Sequence, residues 1–155
     1  GMREDGYRPA RTKARRSGWI AMPKAVHTTA PSLAEIEEMA QQALKAVPAE
    51  LRQYLRPVLI RIEDFPDEEV EMEMGLESPF DLLGLYRGVA LTQQDSMMMR
   101  DDVDMIFLYR RPMLDYWCET GEDIRDIVRH VLIHEIGHHF GFSDDDMERI
   151  ENAAE

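Results

Sequence analysis

The chain has 155 residues, 44% of them hydrophobic, which suits one domain built around one core. Its 31 acidic residues against 18 basic ones leave a net charge of −13. That balance argues against non-specific nucleic-acid binding and favours neutral or basic peptide partners. No apolar run approaches the roughly 18 residues that span a bilayer, and the N-terminus lacks the apolar stretch of a secretory signal, so no membrane partner is expected. The single cysteine, Cys118, excludes an internal disulfide framework and fits a cytoplasmic location.

Residues 1–24 carry seven basic side chains against two acidic ones, a net +5 that leaves −18 on the rest. Residues 1–30 hold no helical or strand period and read as a basic arm without a domain of its own, loosely docked or free. An RNA, an acidic partner or the acidic body is open to it as a contact. The folded domain is expected over residues 31–155. There Ser32 and Glu35 form a capping box, and Leu33, Ile36, Met39, Ala40, Ala43, Leu44 and Val47 recur at three and four, which predicts an amphipathic helix over 32–47. Pro48 ends it. Val58 to Ile62 reads as a strand. The acids from Glu63 to Glu73 follow, with Pro66 opening a short helix; they form a solvated face rather than a calcium loop, because no D-x-D-x-D-G spacing is present.

Residues 82–91 carry strand formers around Gly84 and Gly88 and predict one or two short strands. Ser96 to Met99 reads as a turn. Asp104 to Arg110 predicts a further strand near the sheet centre, ended by Pro112, and Cys118 is expected to pack in the interior. Thr120 with Asp123 then caps a long helix over 121–140 whose buried face is Ile124, Ile127, Val128, Val131, Leu132 and Ile136. Ser143 caps a last helix to about Asn152. This order predicts one α+β domain with a small sheet, a long helix and a short C-terminal helix.

The long helix carries His134-Glu135-Ile136-Gly137-His138, followed by Gly141 and Asp144, which makes H-E-x-x-H-x-x-G-x-x-D. Residues four apart on a helix lie on one face, so His134 and His138 can turn their imidazoles toward one ion. Zinc takes three protein ligands in a catalytic site and keeps one position open. Glycine tolerates the left-handed conformation that ends a helix, so Gly141 lets the chain turn and return Asp144 as third ligand. Asp145 and Asp146 are the shifted alternatives, and Asp144 has a rival reading as a first-turn acid of the last helix. Glu135, next to the first ligand, suits a general base acting on metal-activated water. His130 shares the ligand face one turn back and reads as a supporting or solvent group. His139 points about 100° away and is expected to face solvent or cap carbonyls.

The signature resembles that of the metzincins with Asp in place of the third His. In so short a chain it resembles the small bacterial zincin-like metallopeptidases with a minimal matrix-metalloprotease-like domain. The resemblance implies a zincin fold with a small mixed sheet and a zinc metalloendopeptidase acting on a peptide or protein substrate. Zn2+ would be held by His134, His138 and Asp144, with Glu135 as base. It further implies a peptide lying along an edge strand from 82–91 or 104–110; Tyr86, Tyr109 and Tyr116 are candidate oxyanion donors. Metzincins carry a methionine turn beneath the metal, and only Met147, within the last helix, follows the signature here. The alternative is a non-catalytic metal-binding or protein-interaction module on the same scaffold.

Overall fold

The computed structural model describes residues 4–9, 29–55, 57–88 and 103–154. Among them the order is strand β1 (Glu4–Tyr7), helices α1 (Leu33–Lys45) and α2 (Ala49–Arg52), β2 (Val58–Glu63), α3 (Glu68–Met74), a 3-10 turn (Pro79–Asp81), β3 (Gly84–Arg87), β4 (Asp104–Tyr109), and helices α4 (Arg110–Thr120), α5 (Ile124–His139) and α6 (Asp144–Ala154). The strands form one mixed sheet in the order β1-β3-β4-β2. β4 pairs in parallel with β2 and antiparallel with β3, and β3 pairs antiparallel with β1. β4 is thus an inner strand, as its apolar run predicts.

The two-residue period of the strands divides their side chains between two faces. Ile106 and Leu108 of β4 and Tyr86 of β3 enter the main core, with Ile36 and Ala40 of α1 and Val128, Leu132 and Ile136 of α5. Leu85 and Tyr109 face the other way and pack with Val70 of α3 and Leu82. Burial of this apolar surface is the dominant drive for folding. It packs α5 against the sheet and against α1, α4 and α6, with Ile124, Ile127, Val131 and Ile133 buried as well.

The local signals act as read. Ser32 accepts from the Glu35 amide at 3.1 Å while Glu35 accepts from the Ser32 amide at 2.8 Å. Asp67 caps α3, and Gly75 ends it at φ 63°. α5 is capped by Asp123, which accepts from the Arg125 amide; Thr120 accepts from the Glu122 amide just before it.

Three expectations are corrected. Residues 1–30 are not free of strand structure, because Glu4–Tyr7 joins the sheet as its edge. Pro112 is not what ends the strand: β4 stops at Tyr109, α4 begins at Arg110, and Pro112 lies in its first turn, where its missing amide has no partner to lose. Cys118 is exposed on α4 and not packed in the interior. Of residues 82–91, Gly84–Arg87 form one strand; residues 89–91, like Ser96–Met99, lie outside the described residues. Among the described residues no helix is long and apolar enough to cross a membrane.

Candidate metal centre

α5 is straight enough through its last turns to stack three imidazoles at intervals of four: the rings of His130 and His134 are 4.0 Å apart, and those of His134 and His138 are 5.7 Å apart. The helix closes with the Gly141 amide donating to the His138 carbonyl at 3.0 Å and the Phe142 amide to the Gly137 carbonyl at 2.9 Å. Gly141 adopts φ 92°, a left-handed conformation at which an L side chain would be strained. The turn brings Asp144 back, so that its Oδ1 lies 2.8 Å from His138 Nε2.

His134, His138 and Asp144 each offer one ligand atom, all within 4.8 Å of one another. Ligands at about 2.0–2.1 Å from one tetrahedral ion stand roughly 3.3 Å apart, so small side-chain adjustments bring this set around a zinc. Two nitrogens and one carboxylate oxygen are also the donor chemistry zinc favours. Asp144 is the first residue of α6, as its rival reading has it, and from there it offers a carboxylate oxygen beside the two histidines. Asp146 is occupied elsewhere. It exchanges hydrogen bonds with Ser143 across the first turn, and these hold its carboxyl below the ordinary range.

Glu135 is 2% exposed, and one of its carboxylate oxygens accepts the Tyr86 amide of β3 at 3.0 Å. This bond ties the centre of α5 to the strand and fixes how the carboxylate enters the cleft. The cleft holds about 380 Å3 and is lined by His134, Glu135, His138 and Asp144 on one side and by Gly6, Tyr7, Arg8 and Met74 on the other.

One residue outside the ligand set packs against the motif itself. Met147 of α6 is fully buried against Gly137, and a β-carbon added at Gly137 would overlap its sulfur. A helical methionine therefore lies beneath the turn that joins His134 to His138. The hydrophobic spacing of Met147 and Ile150 was the available signal.

Glu151, four residues beyond Met147, is not among the residues the sequence singles out. Its two oxygens meet His130 Nδ1 at 3.4 Å and His134 Nε2 at 3.3 Å. Burial alone would raise its pKa, but the His130 and His134 imidazoles beside it outweigh burial and hold it at about 2. His130, His134 and Glu151 thus make a second group of ligand atoms within 4.8 Å. Both groups draw on His134, and only the first lines the cleft with Glu135.

The remaining candidates fall elsewhere. His139 does not face solvent: its ring stacks on Tyr86 at 3.9 Å. Tyr86 is buried with its hydroxyl donating to Asp104 at 2.6 Å, Tyr109 is 1% exposed, and Tyr116 lines a neighbouring cavity, so none of the three lines the cleft. The aromatic hydroxyl beside the histidines belongs to Tyr7. Its ring meets those of His130 and His134 edge-on at 5.5 and 5.6 Å. Burial, reinforced by Tyr116, Glu122 and Glu151, pushes the Tyr7 hydroxyl well above the ordinary tyrosine range, so it keeps its proton.

Residues 55–154 match the family model described as zincin-like metallopeptidase. No curated protein matches the chain.

Proposed function

The chain belongs to the zincin-like metallopeptidase family, and from that premise we propose that it is a zinc-dependent endopeptidase whose metal is held by His134, His138 and Asp144. The observation that carries this reading is the convergence of those three side chains with the Glu135 carboxylate on one cleft. When bound there, zinc would supply Lewis acidity, lowering the pKa of a water and polarising the scissile carbonyl.

The chain's own groups do the rest. The Tyr86 amide orients Glu135, which takes a proton from the attacking water as the water oxygen bonds to the peptide carbonyl carbon. Glu135 then returns that proton to the nitrogen as the C–N bond breaks, leaving a carboxylate-bearing fragment and a free amine. Burial of Glu135 keeps the transfer away from bulk water. Met147 supports the backbone between the two histidines from below. Glu151 contacts His134 at Nε2 and restricts the rotation of its ring.

The peptidase domain we assign to residues 31–155, with residues 1–30 as an arm that lends the sheet one strand. The partner is a peptide or protein, not a nucleic acid, in keeping with the net charge of −13, and the single cysteine fits the cytoplasm.

Glu135→Gln tests the reading. The variant keeps the shape of the side chain and its contact with the Tyr86 amide, so it should bind about one zinc per chain, like the wild type. Cleavage of a proteome-derived peptide library should fall by about 10²–10⁴-fold. Equal cleavage by both proteins would remove Glu135 as the base. Zinc and peptide binding with no cleavage by either would favour the interaction-module alternative.

A further inference from the structure

The cleft is not bordered by the domain alone. Gly6, Tyr7 and Arg8 of the chain's own N-terminal segment help to line it, and three features hold that segment there. β1 pairs antiparallel with the outer edge of β3, from Glu4 opposite Arg87 to Tyr7 opposite Gly84. The Leu83 amide donates to the Tyr7 carbonyl at 3.0 Å, and Arg8 donates to the Met74 carbonyl at 2.6 Å. The Tyr7 ring packs edge-on against His130 and His134.

Each contact belongs to a mode by which proteins hold extended peptides. A strand added to a sheet edge gains main-chain hydrogen bonds, and side-chain pockets supply the selectivity. Here Gly6 meets the edge where no larger residue fits, since a β-carbon would overlap Leu82. Tyr7 lies edge-on to His130 and His134 and borders a cavity of about 250 Å3 together with Tyr116, Ile127 and His130. Arg8 is a cation held at the C-terminal end of α3, a helix with Glu68, Glu69 and Glu71 in its first turn and no basic residue in its last.

We propose that the β3 edge beside the metal centre is a docking site for an extended peptide of small–aromatic–basic character, and that Gly6–Arg8 occupies it in cis as an internal pseudosubstrate. Calling the displaced ligand a substrate rests on the peptidase reading; the docking site itself does not. The protein is then self-blocked, and a peptide of matching chemistry binds only in the fraction of molecules whose β1 has left the edge.

The test uses the full-length, zinc-loaded chain, its Tyr7→Ala, Gly6→Ala and Tyr7→Phe variants, and a labelled free peptide with the sequence of residues 1–9. Tyr7→Ala removes the anchor, and Gly6→Ala unseats the strand without touching the ring, so the proposal does not depend on one variant folding. If β1 occupies the edge in about nine molecules of ten, releasing it should tighten peptide binding about ten-fold in both variants. The Leu83 amide should exchange about ten-fold faster in the absence of peptide and be protected again when peptide is added. Library cleavage should rise in parallel and be inhibited by the nonapeptide, while Tyr7→Phe, which keeps the ring, should behave as the wild type.

Unchanged Leu83 protection together with no nonapeptide binding by either releasing variant would overturn the proposal. So would a loss of cleavage in Tyr7→Phe, which would place the hydroxyl in the chemistry instead. Peptide binding without cleavage by any protein would keep the docking site and remove the peptidase reading. Cleavage unaltered by every variant, with no peptide bound, would do the reverse.

Discussion

Between the two histidines, the side chain that matters is a hydrogen. Gly137 faces the fully buried Met147, whose sulfur occupies the space a β-carbon would need. Replacing glycine by alanine inside a helix ordinarily gains roughly 0.5–1 kcal/mol. Forcing an extra methyl into a packed core costs about 1–3 kcal/mol, and Met147 has no solvent into which to swing. The overpacking therefore wins: Gly137→Ala should lower stability by about 1 kcal/mol in urea unfolding, and Met147→Ala should cost less in that background than in the wild type. A stabilised single variant would mean that Met147 moves aside without penalty. The motif was legible at this scale because its geometry is local: a spacing of four on one helix, then a glycine turn. Glu151 and Tyr7 were not, because each reaches His134 only after a separate element has folded back onto α5. One signal for Glu151 was present in the sequence, a carboxylate on the same face of α6 as Met147 and Ile150.

The packing of α6 on α5 carries a charge as well as an apolar face. Met147 and Ile150 enter the core while Glu151 spans His130 and His134. Its pKa falls from an ordinary 4.5 to about 2 in the folded chain. A depressed carboxylate stabilises the fold above its unfolded pKa, and that contribution is lost as the pH drops from about 4.5 through about 2. In metal-free protein, Glu151→Gln should therefore cost roughly 1–3 kcal/mol at pH 5–6, a range that allows for its partial exposure, and almost nothing near pH 2. Denaturant midpoints for the two proteins across that range measure the difference, and a gap that does not depend on pH would show that Glu151 acts through packing alone. Elements were legible where their signals were local. The capping box of α1, the apolar run of β4 and the buried stripe of α5 each appear in consecutive residues. β1 was invisible because four residues with no apolar alternation owe their strand to a partner about eighty residues away, and propensity yields to such pairing. α4 was hidden by Pro112, which breaks a helix interior but not a first turn.

Across the molecule, the candidate ligands lie towards one end of α5, while the main core extends through α1, the sheet, the length of α5 and Met147 and Ile150 of α6. Ile36, Ala40, Leu51, Ile106, Leu108 and Leu132 are all fully buried, and none is a candidate ligand. A chain of 155 residues with that core does not need a metal to fold. The ion should act instead by mass action, through preference for the folded state. At a free zinc concentration 100 times its dissociation constant, it adds about 2.7 kcal/mol. For a domain of this size, 1 kcal/mol moves the melting temperature by about 2–4 °C, so chelation should lower Tm by roughly 5–10 °C. The chelated protein should still melt cooperatively and keep its far-ultraviolet circular dichroism. His134→Ala and His138→Ala should each melt at the same temperature with and without zinc, because the two nitrogens come from one helix face and neither holds the ion alone. Loss of cooperative melting on chelation would make the metal structural and the fold dependent on it. An unchanged Tm at saturating zinc would mean that the cleft formed by His134, His138 and Asp144 does not bind the ion.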